Sequence, residues 1–272
     1  MRGWTAVAVI GLVLAGCGTG APVATRTPLL DPIPSVAFPV SSPAPTTTTP
    51  SPAPSREEVV VVLNPGHNGG NAAAPEEIGA QVPAGGGQVK ACDTTGTETN
   101  AGYPEHAFNW DVAQRVRAAL TAKDVTVVLT RDNDTGVGPC VDVRTDIGNR
   151  ANAAAVVSIH ADGSEAAGAN GFHVAYPDPA LNEAQGEPSL KLATVLRDGM
   201  ARAGFSPANY IGSDGLDGRD DLAGLSLSER PAVFVECGNM RDATEAAVLS
   251  SENGKQRYAD AIAASILAYV AR

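Results

Sequence analysis

Residues 59–70 have the sequence VVVVLNPGHNGG, in which five apolar residues are followed by Asn64, Pro65, Gly66 and His67. A continuous β-branched run that stops at a proline and a glycine is typical of a buried parallel strand. His67 stands directly after that strand, at the edge where α/β proteins place their ligands. This stretch therefore predicts an α/β fold and a polar site that contains His67.

Helix and strand patterns alternate along the rest of the chain. Apolar residues recur at four-residue spacing along one predicted helix, at Phe108, Val112, Val116 and Leu120. Further strands are predicted at 125–129, 156–160, 171–176 and 233–236, and further helices at 142–152, 189–203 and 255–270. Such alternation predicts a single α/β domain with a twisted, mostly parallel central sheet flanked by helices.

The first seventeen residues predict export. Arg2 precedes an apolar run from Trp4 to Gly16, which is too short to span a bilayer and matches the core of a signal peptide. The small residues before Cys17 resemble a bacterial lipoprotein signal, in which the cysteine receives the lipid. An ordinary cleaved signal with an incidental cysteine is the alternative. We predict a signal peptide over 1–17 with lipidation at Cys17.

Composition divides the remainder into a linker and a domain. Residues 18–57 are rich in proline, threonine and serine, which predicts a disordered linker that holds the catalytic domain, 58–272, away from the membrane. The formal net charge of -11 argues against nucleic acid and against an anionic membrane surface as partners. The lipid is then the only expected membrane link. It would place a monomer on the outer face of the plasma membrane or in the periplasmic cell-wall space.

The three other cysteines divide into a pair and a single thiol. Cys92 and Cys140 lie in polar stretches of a chain predicted to be exported, where oxidation is permitted. A disulfide between them would close a loop of about fifty residues and stabilise the fold by roughly 4 kcal/mol. Cys237 follows an apolar run and is predicted to be a buried free thiol; a reactive catalytic cysteine is the competing interpretation.

Two more residues join His67 in a candidate metal site. Glu105 stands in the opening turn of the predicted helix, and His160 ends a predicted strand. Two imidazoles and a carboxylate form a known catalytic zinc set that leaves a position for water. Glu236 ends an apolar strand. Burying an unpaired charge there is unfavourable by roughly several kcal/mol, so a functional role is the expected reason for a glutamate at this position. A general base beside a metal-bound water has such a role.

Each of these residues alone has an ordinary structural explanation. For Glu236, the alternative is an ion pair with an arginine such as Arg150 or Arg219. His106 follows the glutamate ligand directly, and adjacent helical residues point about 100° apart, so both are not expected on one metal. For His173, burial or a substrate contact is as plausible as ligation. The joint placement of the four candidates at strand ends and a helix start favours a site.

The motifs together resemble a known family from about residue 59 to the C-terminus. The landmarks are Asn64–His67, Pro104-Glu105, Leu129–Arg131, Arg150–Asn152, Ser158–Ala161 and Val235–Met240. These resemble the Amidase_3 family of zinc-dependent N-acetylmuramoyl-L-alanine amidases, above all its small mycobacterial members. The resemblance implies one Zn²⁺ per chain held by His67, Glu105 and His160, with Glu236 as the catalytic base for a zinc-activated water. It also suggests the Cys92–Cys140 disulfide.

The same resemblance implies a substrate and a reaction. The substrate would be peptidoglycan or muropeptides, and the bond would be the amide between N-acetylmuramic acid and L-alanine, cut during cell-wall turnover or septum remodelling. Two alternatives stay open: a zinc peptidase acting on stem peptides, and a non-catalytic wall-binding lipoprotein.

Three further features of the sequence concern the surroundings of the candidate zinc ligands and the access of substrate to them. Asn64 stands where the family usually has Asp, which we expect to tune the surroundings of the ligands without abolishing zinc binding. Between His160 and Glu236 we find no long extra helix of the kind that occludes regulated amidases, so an open site is expected. The Gly-rich stretch 79–103 is predicted to form a rim over the site.

Overall fold

The computed structural model describes residues 58–271, so the predicted signal peptide, Cys17 and the predicted linker lie outside the described residues. The strands are β1 (Val60–Pro65), β2 (Gln81–Gly85), β3 (Gln88–Ala91), β4 (Thr126–Leu129), β5 (Ala155–Asp162), β6 (His173–Pro177), β7 (Leu216–Arg219) and β8 (Ala232–Asn239). The helices are α1 (Pro75–Ile78), α2 (Glu105–Thr121), α3 (Val141–Arg150), α4 (Glu187–Arg202), α5 (Ala223–Ser226), α6 (Ala243–Leu249) and α7 (Glu252–Val270).

Six strands form the central sheet in the order β4-β1-β5-β8-β6-β7. The first four run parallel, β6 is antiparallel to β8, and β7 is parallel to β6. The prediction of a mostly parallel sheet flanked by helices is therefore confirmed, with one antiparallel pair. In the register of β5 and β8, His160 lies beside Glu236.

The two faces of the sheet are covered unequally. The larger hydrophobic cluster packs side chains such as Val157 and Val235 against α2, α4 and α7. The smaller cluster, on the opposite face, includes Val156 and Ala232 and is covered by α3 and α5. Successive strand residues point to opposite faces, so His160, four residues after Val156, emerges on the thinly covered face together with Glu236.

Three strands were not predicted. The Gly-rich stretch 79–103 contains the antiparallel hairpin of β2 and β3, and β7 forms an edge of the sheet. The hairpin turn includes Gly86 and Gly87, both with positive φ. β7 has the sequence LDGR, with a single apolar residue, so it carries no strand pattern. All three strands form through pairing with a neighbouring strand rather than through local preference.

The start of α6 has only half of the capping box that its sequence predicts. The spacing of Asp242 and Glu245 predicts a capping box. The Asp242 side chain does accept a hydrogen bond from the Glu245 N–H at 2.9 Å. The Glu245 carboxylate, however, accepts from the N–H groups of Gly171 and Asn239 at 2.8–3.0 Å instead of returning to Asp242. Glu245 thereby ties the end of β8 to the loop before β6.

The cysteine predictions within the described residues are confirmed. Cys92 and Cys140 form a disulfide across 48 residues of sequence. Cys237 is buried and free. Over residues 58–271, no helix combines the length and the apolar composition that crossing a membrane requires.

Candidate metal centre

Three side chains from three separate elements converge at the carboxyl ends of β1 and β5. His67 follows β1 with a left-handed φ of 57°, Glu105 is the first residue of α2, and His160 lies near the end of β5. Nε2 of His67 is 3.2 Å from Glu105 Oε2, and Nδ1 of His160 is 2.9 Å from Glu105 Oε1. The three candidate ligand atoms lie within 4.8 Å of one another. The described residues therefore contain a group able to hold a metal ion.

Backbone and side-chain donors fix the Glu105 carboxylate in place. Its oxygens accept hydrogen bonds from the N–H groups of Thr97 and Ala161 and from Asn109 Nδ2, at 3.0–3.2 Å. Burial by itself raises the pKa of Glu105, but the charge of His67 and the hydrogen bond from His160 outweigh it and lower the pKa well below its usual range. Glu105 is therefore ionised, as a metal ligand must be.

The other ring nitrogen of His67 faces a second carboxylate. His67 Nδ1 lies 3.2 Å from Asp93 Oδ1 and 3.1 Å from the Thr94 carbonyl oxygen. Burial lowers the pKa of His67, but the Glu105 charge and the hydrogen bond to Asp93 outweigh it and raise the pKa to about 10. The two carboxylates thus make this a site that attracts a cation.

Gly96 packs directly on the candidate ligands. Its φ is +74°, and an added Cβ would lie 2.6 Å from Glu105 Oε2 and 2.7 Å from His67 Cδ2. Both values are far shorter than a van der Waals contact, so only glycine permits the loop to approach this closely. The loop that contains Gly96 therefore covers one side of the candidate ligands.

Glu236 stands beside the candidate ligands, and within residues 58–271 it has no ion-pair partner. Arg150 pairs with Asp146, and Arg219 pairs with Asp217 and Asp221, so neither arginine takes the role considered from sequence. Burial is the largest effect on Glu236, and together with the Glu105 and Asp162 charges it raises the pKa well above its usual range. A carboxyl group in this condition can both take up and release a proton.

A groove with a cavity volume of about 260 Å³ runs past these residues. Its lining includes His67, His160 and Glu236 together with Leu222–Gly224 and Phe234. The ring of Phe234 stacks on His160, with centroids 5.2 Å apart. Residues of the stretch 79–103 line the same groove, at Lys90, Ala91, Asp93 and Thr94. This position agrees with the predicted rim.

The two remaining histidines lie outside the ligand group. His106 Nδ1 contacts the Asp134 carboxylate at 2.9 Å, as expected for a residue that points away from the metal. His173 is buried, and its Nδ1 has no hydrogen-bond partner among the described residues. Asn64 donates to Ser158 Oγ and accepts from the Thr130 hydroxyl and the Arg144 guanidinium, so a neutral amide occupies this place in the hydrogen-bond network.

Sequence reasoning missed the residues that support the ligands. Asp93 and Arg144 are buried and paired at 3.0 Å, and Arg144 also donates to the carbonyl oxygens of Pro65 and His67. A single aspartate beside Cys92 and a single arginine on a helix carry no pattern that marks them. Their roles follow from contacts across 51 residues of sequence.

The donor set agrees with a catalytic zinc ion. It offers two imidazole nitrogens and one ionised, hydrogen-bonded carboxylate, which is a common combination for zinc in hydrolases. The Asp93 contact on the far nitrogen of His67 is the kind of outer partner that zinc-binding histidines have.

Comparison with known proteins agrees with this geometry. Residues 61–268 match the Amidase_3 family model, described as N-acetylmuramoyl-L-alanine amidase. The chain is 47% identical over 213 residues to the N-acetylmuramoyl-L-alanine amidase Rv3717 of Mycobacterium tuberculosis, covering 78% of this chain and 87% of that protein.

Two solved structures extend the comparison. The Ami1 amidase from Mycobacterium smegmatis has 49% identity and a TM-score of 0.75, with 78% of this chain and 97% of that chain covered. The amidase AmiC2 of Nostoc punctiforme has 27% identity and a TM-score of 0.60, with 79% and 98% covered. The fold, the candidate ligands and these matches lead to one conclusion: the chain belongs to the Amidase_3 family of N-acetylmuramoyl-L-alanine amidases.

Proposed function

We propose that this chain uses zinc to hydrolyse the amide bond between N-acetylmuramic acid and L-alanine in peptidoglycan. The observation that carries the proposal is the His67, Glu105 and His160 group, with Glu236 one strand away on the same face of the sheet. Family membership supports the choice of bond. The residues themselves support a zinc hydrolase of an acyl bond.

His67, Glu105 and His160 would hold the ion, which supplies a lowered pKa for water and polarisation of the scissile carbonyl. Glu236 accepts the proton of the attacking water, and the new C–O bond forms at the lactyl carbonyl carbon. Glu236 then passes the proton to the L-alanine nitrogen as the C–N bond breaks. Burial raises the pKa of Glu236, which makes its carboxylate a stronger base for the first step, and the proton it gains is the one it donates in the second.

Replacing one ligand and the base separately tests these roles. Glu236→Ala should retain zinc and lose turnover, because the base contributes about 10²- to 10⁴-fold to the rate. His67→Ala should lose both zinc and turnover. The measurements are metal analysis of the purified chain and release of stem peptide from muropeptides. Full activity in Glu236→Ala would remove Glu236 from the mechanism.

The bond itself is tested by product analysis. Mass spectrometry of digested muropeptides should show free muramic lactyl ends and intact stem peptides that begin with L-alanine. New termini inside the stem peptide would instead indicate a zinc peptidase. Zinc without any cleavage would favour a wall-binding lipoprotein.

We also propose that the chain is exported and anchored through a lipid on Cys17. The support is the apolar run 4–16 that ends in small residues before this cysteine. In cells supplied with labelled palmitate, the wild-type chain should take up label and Cys17→Ser should not. Equal labelling of both chains would contradict the anchor.

A further inference from the structure

We infer that Asp93 is a positioning residue for the metal site: its carboxylate holds the His67 ring so that Nε2 faces the metal. The inference rests on the proposed zinc function, because it concerns how one ligand is presented. Asp93 lies outside the ligand group, and its contact with the site is through the far nitrogen of His67.

The Asp93 carboxylate is held by three different partners. Oδ1 lies 3.2 Å from His67 Nδ1 and accepts from the Thr94 N–H at 2.7 Å, and Oδ2 accepts from Arg144 Nη2 at 3.0 Å. Asp93 is 6% exposed, and Arg144 is 3% exposed. A buried carboxylate with these contacts is ionised and has little freedom to rotate away from His67.

Arg144 also supports the backbone on which His67 stands. The same guanidinium donates to the carbonyl oxygens of Pro65 and His67 at 2.8 and 2.9 Å. One arginine therefore sets both the main chain of the ligand and the carboxylate that orients its ring.

The Cys92–Cys140 disulfide links the segment that carries Asp93 to the helix that carries Arg144. Cys92 immediately precedes Asp93, and Cys140 caps the start of α3, the helix that carries Arg144. The Val141 N–H also donates to the Cys92 carbonyl oxygen at 2.8 Å. The covalent link keeps the Asp93 and Arg144 backbones adjacent.

An outer carboxylate of this kind acts on metal affinity. Acceptors for the Nδ1 hydrogen of His67 include Asp93 Oδ1 at 3.2 Å and the Thr94 carbonyl oxygen at 3.1 Å. Both select the tautomer with a free Nε2 lone pair, and the charged Asp93 carboxylate also makes Nε2 more basic. Loss of such a partner typically weakens metal binding about 10- to 100-fold.

The chain contains a matched control for this arrangement. Asp134 contacts His106 Nδ1 at 2.9 Å and accepts from Arg131 Nη1 at 2.9 Å, so it forms a second arginine–aspartate–histidine chain. His106 is not a member of the ligand group. Removing Asp134 breaks the same kinds of contact without touching a candidate ligand.

The test compares zinc dissociation constants of the full chain and its variants by competition with a chromophoric chelator. Asp93→Ala should bind zinc about 10- to 100-fold more weakly, and Asp134→Ala should bind like the wild type. Asp93→Asn, which keeps an oxygen acceptor without the charge, should fall between them. Circular dichroism melts without metal report folding separately.

Cobalt substitution gives a second readout. The visible spectrum of the Co²⁺-loaded chain should change in the Asp93 variants and stay unchanged in Asp134→Ala. The reason is that Asp93 contacts the candidate ligand His67, whereas Asp134 contacts His106, which is outside the ligand group. Should Asp93→Ala fail to fold, Asp93→Asn carries the test alone.

Three outcomes would overturn the inference. Zinc affinity and cobalt spectra equal to wild type in the Asp93 variants would show that Asp93 does not position His67. Equal weakening in the Asp93 and Asp134 variants would show a general stability effect. A wild-type chain that binds no zinc would overturn the proposed function as well, whereas the first two results leave that function standing.

Discussion

At the scale of single residues, Glu236 combines a proposed catalytic role with surroundings that disfavour its charged form. Burial and the charges of Glu105 and Asp162 raise its pKa well above the unfolded value. A carboxyl whose folded pKa is raised stabilises the fold where it is protonated, and that contribution is lost as the pH rises from the unfolded pKa through the folded one. Glu236 is therefore expected to destabilise the metal-free chain at neutral pH.

Glu236→Gln should relieve this destabilisation because glutamine carries no charge. With zinc removed by a chelator, we expect the variant to melt at a higher temperature than the wild type at pH 7. The difference should shrink at about pH 4, where both side chains are neutral. Glu76→Gln, on the exposed surface, serves as the control. Identical melting temperatures for Glu236→Gln and wild type at pH 7 would contradict the expectation.

At Gly96 the backbone lies very close to two candidate ligands, Glu105 and His67. Gly96→Ala should weaken zinc binding, because the added methyl group displaces Glu105 and His67. Gly102→Ala is the matched control: its φ is +83°, and nothing lies within 4 Å of its Cβ position. Both variants should lose about 1–2 kcal/mol of unfolding free energy from the left-handed backbone. Only Gly96→Ala should lower the affinity in a zinc titration; equal affinities would refute the steric argument.

At the scale of elements, the Cys92–Cys140 disulfide connects the end of the β2–β3 hairpin to the start of α3. Replacing both cysteines with alanine should lower the free energy of unfolding by about 4 kcal/mol, following the loop-entropy estimate. Chemical denaturation measures the change. Reductant should destabilise the wild type and leave the double variant unaffected. A reductant effect of equal size in both chains would assign the loss to another cause.

At the scale of the whole molecule, both hydrophobic clusters form within residues 58–271. A chain that starts at residue 58 should therefore melt at the same temperature as the full chain, bind zinc equally and digest soluble muropeptides. Light scattering should show a monomer. A lower melting temperature for the shorter chain would show that residues 1–57 contribute to the fold.

Much of the fold followed from local patterns. The apolar run 59–63 and the four-residue spacing from Phe108 to Leu120 predicted β1 and α2 to within two or three residues at each end. The β2–β3 hairpin and β7 were missed because their residues have weak strand preference and are held by neighbours in space.

The candidate ligands could be named from sequence because each stands at the end of an apolar strand or the start of a helix. Parallel strands end at one edge of a sheet, so His67 and His160 had to come close once the sheet formed. No comparable rule predicts the positions of the residues that support the ligands. Asp93 and Arg144 meet only because α3 and the loop after β3 pack together.

By itself, the sequence determined the α/β class, the faces of the strands and the residue types available for a metal, since hydrophobic periodicity and chain breaks are local properties. Only the tertiary structure decided which side chains share contacts: Asp93 with His67, His106 with Asp134, and Glu245 with Gly171. The physical reason is that periodicity sets the face on which a residue lies. The partner on that face is set by packing between segments far apart in the chain.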